Sequence, residues 1–146
     1  MSPIQTGLRF SQWALEFMLL PPSLLGIALA AVSLARAGWK QRPYRTHLWR
    51  PYHWFALTHL LFFAAAITVG VLREATLVGP PYSYHADRPG TLCLDALMYG
   101  SFASCAFWIW RMKGFRWYAT SLMALMELPI IGALVVAGMS VTGDWL

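Results

Sequence analysis

Four long runs of apolar residues, separated by polar and charged segments, divide the chain. They cover roughly residues 12–35, 52–72, 91–110 and 117–141. None alternates apolar and polar residues with the two-residue period of a half-buried strand, so helices are predicted. Each run is about 20 residues or longer, and about 20 helical residues cross the hydrocarbon layer of a bilayer. The pattern therefore predicts an all-α integral membrane protein with four transmembrane helices in a single membrane domain, residues 1–146.

The first apolar run contains two consecutive prolines, Pro21 and Pro22. A proline inside a helix removes a backbone hydrogen bond and kinks or breaks the helix. Two structures are compatible with this: a kinked span, or an interfacial turn followed by the true span. Residues 1–11 are expected to form a short polar lead. The run is longer than the roughly 7–15-residue apolar core of a signal peptide, which favours a membrane span over a cleaved leader.

The composition also indicates a membrane protein. The chain is 58% hydrophobic and 12% charged, whereas a soluble domain is about one quarter charged. Many of the eight tryptophans lie at the ends of the apolar runs, where membrane proteins place aromatic belts. The formal net charge is +5. Because the basic residues adjoin apolar spans, we expect them to contact anionic lipid headgroups rather than nucleic acid.

Basic residues are concentrated in two loops. Eight of the eleven Lys and Arg residues lie in residues 36–51 and 111–116. The positive-inside rule places both loops in the cytoplasm, and therefore both termini and the loop of residues 73–90 outside. The expected architecture is an antiparallel four-helix bundle. Small residues at four-residue spacing, such as Ala96 and Gly100, are predicted to let its helices approach closely.

Four ionisable residues lie within the predicted spans, where a buried charge is costly, so each is a functional candidate. They are Glu16, His59, Asp95 and Glu127. Glu127 is the deepest, about 15 Å from the cytoplasmic end of its span. It is a candidate proton carrier, quinone hydrogen-bond partner or cation site. The alternative is a purely structural protonated carboxyl bonded to a neighbouring helix.

His59 lies about 10 Å from the same side of the membrane. It is a candidate haem or metal ligand, a quinone hydrogen-bond partner, or a hydrogen-bonded core residue, and chlorophyll is a further possible cofactor. A haem with two histidine ligands needs a second histidine on a facing helix, and no predicted span supplies one. A haem at His59 would need an axial methionine (Met98, Met123 or Met126), and a haem, chlorophyll or quinone shared with another subunit is the other possibility. If the second and fourth spans are neighbours, His59 and Glu127 can converge.

Helical spacing predicts which faces carry these two residues. The face of His59 includes Phe63, Ala66 and Gly70. The face of Glu127 is predicted to include Thr120, Ala124, Ile131 and Gly138. Both sets contain small residues, so both faces are predicted to pack against a neighbouring helix.

Two further groups of residues are predicted near the membrane surfaces. Glu16 and Asp95 are expected near the outer surface, either as separate interfacial groups or in a common polar cluster with loop residues above it, namely Tyr82, Tyr84, His85 and Asp87. Arg and Trp residues of the cytoplasmic side are expected to bind lipid headgroups. These are Arg42, Arg45, Trp49, Arg50 and Trp54.

The two cysteines, Cys93 and Cys105, lie about 18 Å apart along one predicted helix, which excludes a disulfide between them. Their spacing matches no zinc-binding pattern. They are expected to be small packing thiols, and no metal site is predicted.

The sequence carries no GxSxG, HExxH, P-loop or dinucleotide fingerprint. It therefore favours an accessory or structural subunit of a larger membrane complex in electron transport or photosynthesis, without catalytic activity of its own. Its expected partners are other membrane subunits and lipids. The alternatives are a small proton-linked transporter, or a membrane enzyme acting on a lipid or quinone with His59 and Glu127 as an acid–base pair.

Overall fold

The computed structural model describes residues 2–41, 50–76 and 88–142, and it contains no strand in these ranges. The described residues form five α-helices and a short 3₁₀ turn. The helices are α1 (Pro3–Phe17), α2 (Pro21–Gln41), α3 (Arg50–Thr76), α4 (Arg88–Arg111) and α5 (Arg116–Thr142), with the 3₁₀ turn at Lys113–Phe115. The prediction of an all-helical protein is confirmed for this part of the chain.

Within the described residues, three segments are long and apolar enough to cross a membrane. They are Trp54–Ala75, Arg88–Arg111 and Lys113–Thr142. They correspond to the second, third and fourth predicted spans, the second shifted by two to three residues and the other two extended by one to four residues at each end. The first predicted span is instead divided between α1 and α2.

The break between α1 and α2 falls immediately before the two prolines. The backbone N–H groups of Met18 and Leu19 donate to the carbonyls of Leu15 and Glu16, which tightens the end of α1 into a turn. Pro21 then begins α2, a position where its missing N–H costs no helical hydrogen bond. Of the two structures compatible with the prolines, the chain adopts a break rather than a kinked span.

The polar lead is helical from Pro3 onward. The Ser2 hydroxyl accepts a hydrogen bond from the backbone N–H of Gln5, and the Gln5 side chain accepts one from the Ser2 N–H. This reciprocal pair is a capping box, which satisfies two donors at a helix start. The helix therefore begins well before the apolar run from which the span was predicted.

The central helix of the bundle is α5, which packs against each of the other four helices. α3 runs parallel to it. Phe55 packs with Met123 at one end of the pair, and Gly70 lies against Ala137 at the other. The Gly70 position is close enough that an added Cβ would lie 3.1 Å from the Ala137 Cα. The predicted small-residue contact at Gly70 is therefore present.

The remaining helices run antiparallel to α5 or meet one of its ends. Met112, immediately after α4, packs near the start of α5, and Leu94 of α4 packs near the end of α5. α1 packs so closely on α5 that a Cβ added at Gly132 would lie 2.5 Å from the Ala14 carbonyl oxygen. The last turn of α2 lies beside Tyr118, near the start of α5.

Three groups of buried apolar residues fill the described part of the bundle; the one at the end of α5 consists of Leu94, Ala137 and Val141, and the other two are called layers here. The first apolar layer, near the start of α5, consists of Phe55, Met112, Ala119 and Met123. The second apolar layer, nearer its end, consists of Phe10, Ala14, Ala66, Ile67, Ala133 and Val136. His59 in α3 and Glu127 in α5 lie between these two layers in the sequence of each helix.

Candidate functional site

Three polar side chains from three helices meet between the two apolar layers. They are His59 of α3, Cys105 of α4 and Glu127 of α5, called here the core site. His59 Nε2 lies 3.3 Å from Cys105 Sγ and 3.4 Å from Glu127 Oε2. Cys105 Sγ lies 3.4 Å from the same carboxylate oxygen. The three atoms therefore form a nearly equilateral triangle.

The core site is shielded from the surroundings of the bundle. His59 is 1% exposed and Glu127 is 6% exposed, while Cys105 is partly buried. The Phe55 ring stacks at a tilt on the imidazole, with ring centroids 4.0 Å apart. Charges in such surroundings interact strongly because little solvent screens them.

The orientation of the His59 ring is fixed from its own helix. Nδ1 lies 3.2 Å from the Phe55 carbonyl oxygen. Because a carbonyl only accepts, Nδ1 carries the hydrogen and donates to it. Nε2 therefore faces Cys105 and Glu127 either as a lone pair or, in the protonated imidazolium, as a second N–H donor.

Ser101 supports the other side of the carboxyl group. Its hydroxyl is fully buried and lies 2.5 Å from Glu127 Oε1 and 2.9 Å from the Met98 carbonyl oxygen. With Glu127 ionised, the hydroxyl donates to Oε1. With Glu127 protonated on Oε1, the carboxyl donates to the Ser101 oxygen and the hydroxyl donates to Met98. Ser101 can thus satisfy both protonation states without moving.

The core site differs from a nucleophilic Cys–His–acid triad. In such a triad the acid binds the imidazole nitrogen opposite the one that faces the nucleophile. Here Cys105 and Glu127 both face Nε2, while a backbone carbonyl holds Nδ1. Three donor atoms that converge on one point suit a shared cation, either a proton or a metal ion.

The surroundings of Nε2 argue against His59 as a haem or chlorophyll ligand. A macrocycle requires open space beside the ligating nitrogen, and Cys105 and Glu127 occupy that space. The sequence prediction of a shared macrocycle at His59 therefore receives no support from this arrangement.

The predicted face of α3 is confirmed and that of α5 is wrong. Ala66 and Gly70 are buried on the same face as His59. On α5, however, Thr120 and Ala124 are exposed. The buried face that carries Glu127 runs instead through Ala119, Met123, Ile130 and Ala133. The four predicted residues lie on one flank of Glu127, whereas the buried residues extend around its other flank, so the predicted face is rotated around the helix relative to the observed one.

The structure does not bring Glu16 and Asp95 together. Glu16 accepts a hydrogen bond from the Gln12 side chain at 2.8 Å, an exposed contact within α1. Asp95 is exposed and lines a shallow groove between α4 and α5. No contact joins the two carboxylates in the described residues. The loop residues expected above them, Tyr82, Tyr84, His85 and Asp87, lie outside those residues.

A second polar contact joins α3 and α5 close to the end of α5. The buried Ser140 hydroxyl lies 3.2 Å from the Gly70 carbonyl oxygen and 3.3 Å from Glu74 Oε2. Glu74, expected in the loop of residues 73–90, lies in the last turns of α3 and also lines a cavity with Thr6 and Arg9 of α1.

Of the predicted lipid-headgroup residues, Trp54 is described most fully, and it is 66% exposed on α3. Arg50 begins α3. Arg42, Arg45 and Trp49 lie outside the described residues. The exposure of Trp54 is consistent with a contact to lipid.

Sequence reasoning missed Cys105 and Ser101 as parts of the site. Their four-residue spacing places both on one face of α4, opposite Glu127. Two small polar residues four positions apart on one face of a membrane-length helix were the available signal, because such residues bond across helix interfaces in membranes.

No protein-family model, curated protein or solved structure matches this chain. The function of the chain is therefore inferred from the geometry of the core site.

Proposed function

We propose that this chain is a small multi-pass membrane protein that carries a cation, with the core site as the binding site. The observation that carries this proposal is the approach of His59 Nε2 to Glu127 Oε2, at 3.4 Å, between apolar helices. An ionisable pair in such surroundings is costly to desolvate, and apolar residues of similar volume would pack at least as stably. Ionisable groups inside membrane spans generally mark sites of ion or proton binding.

The proposed topology has four crossings in an antiparallel arrangement, with both termini outside. α3, α4 and α5 supply three crossings, and α1 with α2 supplies one broken crossing. In support, Ala14 of α1 lies against Gly132, while Gly38 near the end of α2 lies against Tyr118. The two helices together thus follow much of α5. The basic residues of 36–51 and 111–116 favour the cytoplasm for both loops.

A carrier must open its site to each side in turn, and both sides of the core site are closed by apolar layers. Pro129 lies two residues after Glu127 inside α5. A proline withholds one N–H from the helical hydrogen bonds and provides a place where a helix can bend. We propose that bending at Pro129 changes the packing of one layer relative to the other.

Reconstituted liposomes test this proposal. The purified chain is reconstituted with a trapped pH indicator or a trapped metal indicator, and proton or divalent-metal entry is followed after a concentration jump. Wild-type protein should carry a cation, and Glu127→Gln should abolish the flux. Glu16→Gln is the matched control, since Glu16 bonds only within α1 in the described contacts. Equal flux in wild type and Glu127→Gln, or none in wild type for any cation, would contradict the proposal.

A second candidate function is an accessory subunit of an electron-transport or photosynthetic membrane complex. It is favoured by the exposure of α4. Only 17% of the most apolar stretch of α4 is buried inside the protein, compared with 39% of the stretch that contains α5. Large side chains such as Tyr99, Phe107 and Trp110 are exposed there. That face can contact lipid or another membrane subunit.

Native purification separates this candidate from the carrier. A subunit should co-purify in fixed ratio with other membrane chains, and the visible absorption spectrum of the assembly would reveal haem or chlorophyll. A lone, active homo-oligomer would exclude it.

A further inference from the structure

We propose that the cation bound at the core site is a divalent transition metal ion of the Zn²⁺ class. Its ligands are His59 Nε2, Cys105 Sγ and Glu127 Oε2. This inference rests on the proposed function for the role of the site, and it adds the chemical class of the cation.

The spacing of the three atoms fits one metal ion. Ligands at tetrahedral angles, about 2.0–2.3 Å from Zn²⁺, lie roughly 3.3–3.8 Å from one another. The three distances in the core site are 3.3, 3.4 and 3.4 Å. An ion placed just above the plane of the triangle therefore reaches all three atoms with only small side-chain shifts. A shared proton needs two of these atoms, whereas a metal ion accounts for all three.

The ligand types select the class of metal. Imidazole nitrogen, thiolate sulfur and carboxylate oxygen are the three protein ligands that Zn²⁺ uses. Mg²⁺ and Ca²⁺ prefer six or more oxygen ligands, which the core site does not offer. A soft thiolate beside an imidazole favours Zn²⁺ and neighbouring transition metals.

Charge balance favours the same class. A divalent ion with one thiolate, one carboxylate and one neutral imidazole has zero net charge. A neutral complex avoids the cost of placing a net charge in an apolar interior. Binding displaces the Cys105 thiol proton to water, and no electron is transferred.

Two neighbouring groups orient the ligands. The Phe55 carbonyl holds the Nδ1–H of His59, which turns the Nε2 lone pair towards the triangle. The Ser101 hydroxyl binds Glu127 Oε1, which leaves Oε2 for the metal. Such outer partners commonly fix the tautomer and position of metal ligands.

The ligand count points to an exchangeable ion. In the described residues, the group of potential ligands consists of His59, Cys105 and Glu127. Structural zinc sites use four protein ligands, while sites with three keep a fourth position for water or substrate. An ion held by three side chains can be passed on, as the carrier proposal requires.

Cobalt spectroscopy of the purified full-length protein tests the site directly. Co²⁺ is added to metal-free protein in detergent. One Co²⁺ per chain should bind, with a thiolate-to-cobalt charge-transfer band in the near ultraviolet, and Zn²⁺ should remove the band. Cys105→Ser should abolish the band. Ser101→Ala should keep it but lower the affinity by about 10–100-fold, because it removes only an outer partner.

The second cysteine provides the matched control. Cys93 lies on the same helix and is exposed, so Cys93→Ser should leave the cobalt spectrum and affinity unchanged. Absence of stoichiometric binding by wild type, a band that persists in Cys105→Ser, or a band lost in Cys93→Ser would overturn the proposal.

A measurement on the wild-type protein tests the site without depending on whether the variants fold. Zn²⁺ should protect Cys105, but not Cys93, from a small membrane-permeant alkylating reagent, with each site followed by mass spectrometry. Equal modification of Cys105 with and without Zn²⁺ would overturn the metal site.

The two proposals fail in different ways. Glu127-dependent proton flux without any cobalt band would overturn the metal site and leave the carrier. Stoichiometric cobalt binding without flux of any cation would overturn the carrier and leave the metal site.

Discussion

His59 Nε2 and Glu127 Oε2 lie 3.4 Å apart across the interface of α3 and α5. These helices run parallel, so they cannot form a simple hairpin, and α4 must pass between their ends. The same helix brings Ser101 and Cys105 to Glu127. The contact between His59 and Glu127 therefore reports the correct assembly of three helices.

Removing one partner of this pair should destabilise the protein more than the change in side-chain volume alone would. Glu127→Leu leaves the imidazole without its carboxylate, and we expect a loss of about 3–5 kcal/mol in the free energy of unfolding. His59→Leu should also be costly. The double variant should cost less than the sum, with a coupling of about 1–3 kcal/mol. Unfolding in mixed detergent micelles measures all four proteins, and strictly additive losses would contradict the pairing.

Two glycines of α5 differ in whether another helix lies close to them, so substitution by alanine should have opposite effects on stability at the two positions. A Cβ at Gly132 meets the Ala14 backbone oxygen, which cannot rotate away. We expect Gly132→Ala to cost about 1–3 kcal/mol of stability, as overpacking generally does. At Gly138 a Cβ meets no atom within 4 Å. Gly138→Ala should therefore stabilise by up to about 1 kcal/mol through helix propensity.

Thermal unfolding of these two variants in the same detergent provides the comparison. Equal transition temperatures would show that α1 does not pack on α5 in this way.

The buried Ser140 hydroxyl should contribute measurably to the contact between α3 and α5. Ser140→Ala removes the donor that faces the Gly70 carbonyl and Glu74. We expect a loss of about 1 kcal/mol, typical of one hydrogen bond. Thr68→Ala is the control, because the exposed Thr68 hydroxyl bonds only within α3 in the described contacts. Denaturant unfolding of both variants should rank Ser140→Ala as the less stable, and the reverse order would contradict the interhelical contact.

The broken first crossing can be tested by cysteine labelling. On a Cys93→Ser background, which keeps the partly buried Cys105, one cysteine at a time is added at the exposed positions Ile4, Lys40 and Lys113. A membrane-impermeant thiol reagent added outside intact cells should label position 4 only. Labelling of positions 40 and 113 should require opened cells. If positions 4 and 40 react from the same side, α1 and α2 do not cross the membrane together.

The sequence predicted the long helices well because their evidence is local. Apolar length alone placed the predicted spans 52–72, 91–110 and 117–141 within a few residues of the long helices. The early start of α1 was missed because its signal is a four-residue capping box outside the apolar run. The prolines indicated a disruption, but the choice between kink and break depends on how α1 packs against α5 at Gly132.

The core site was predictable only in part. His59 and Glu127 stand out because ionisable residues are rare in apolar runs. Their meeting depends on which helices are neighbours, and hydropathy along one chain does not encode that arrangement. Cys105 was missed because a thiol is expected to pack as a small apolar group. Its second role emerges only when an imidazole and a carboxylate from other helices lie beside it.

The two apolar layers also affect how long a bound ion stays in the core site. Because both sides of the core site are closed, a bound ion can leave only when packed helices separate. Its residence time then depends on how often the bundle opens as well as on the strength of its bonds to the ligands. Substitutions in a layer, such as Met123→Ala, should therefore accelerate both arrival and departure of the ion while leaving its equilibrium occupancy nearly unchanged.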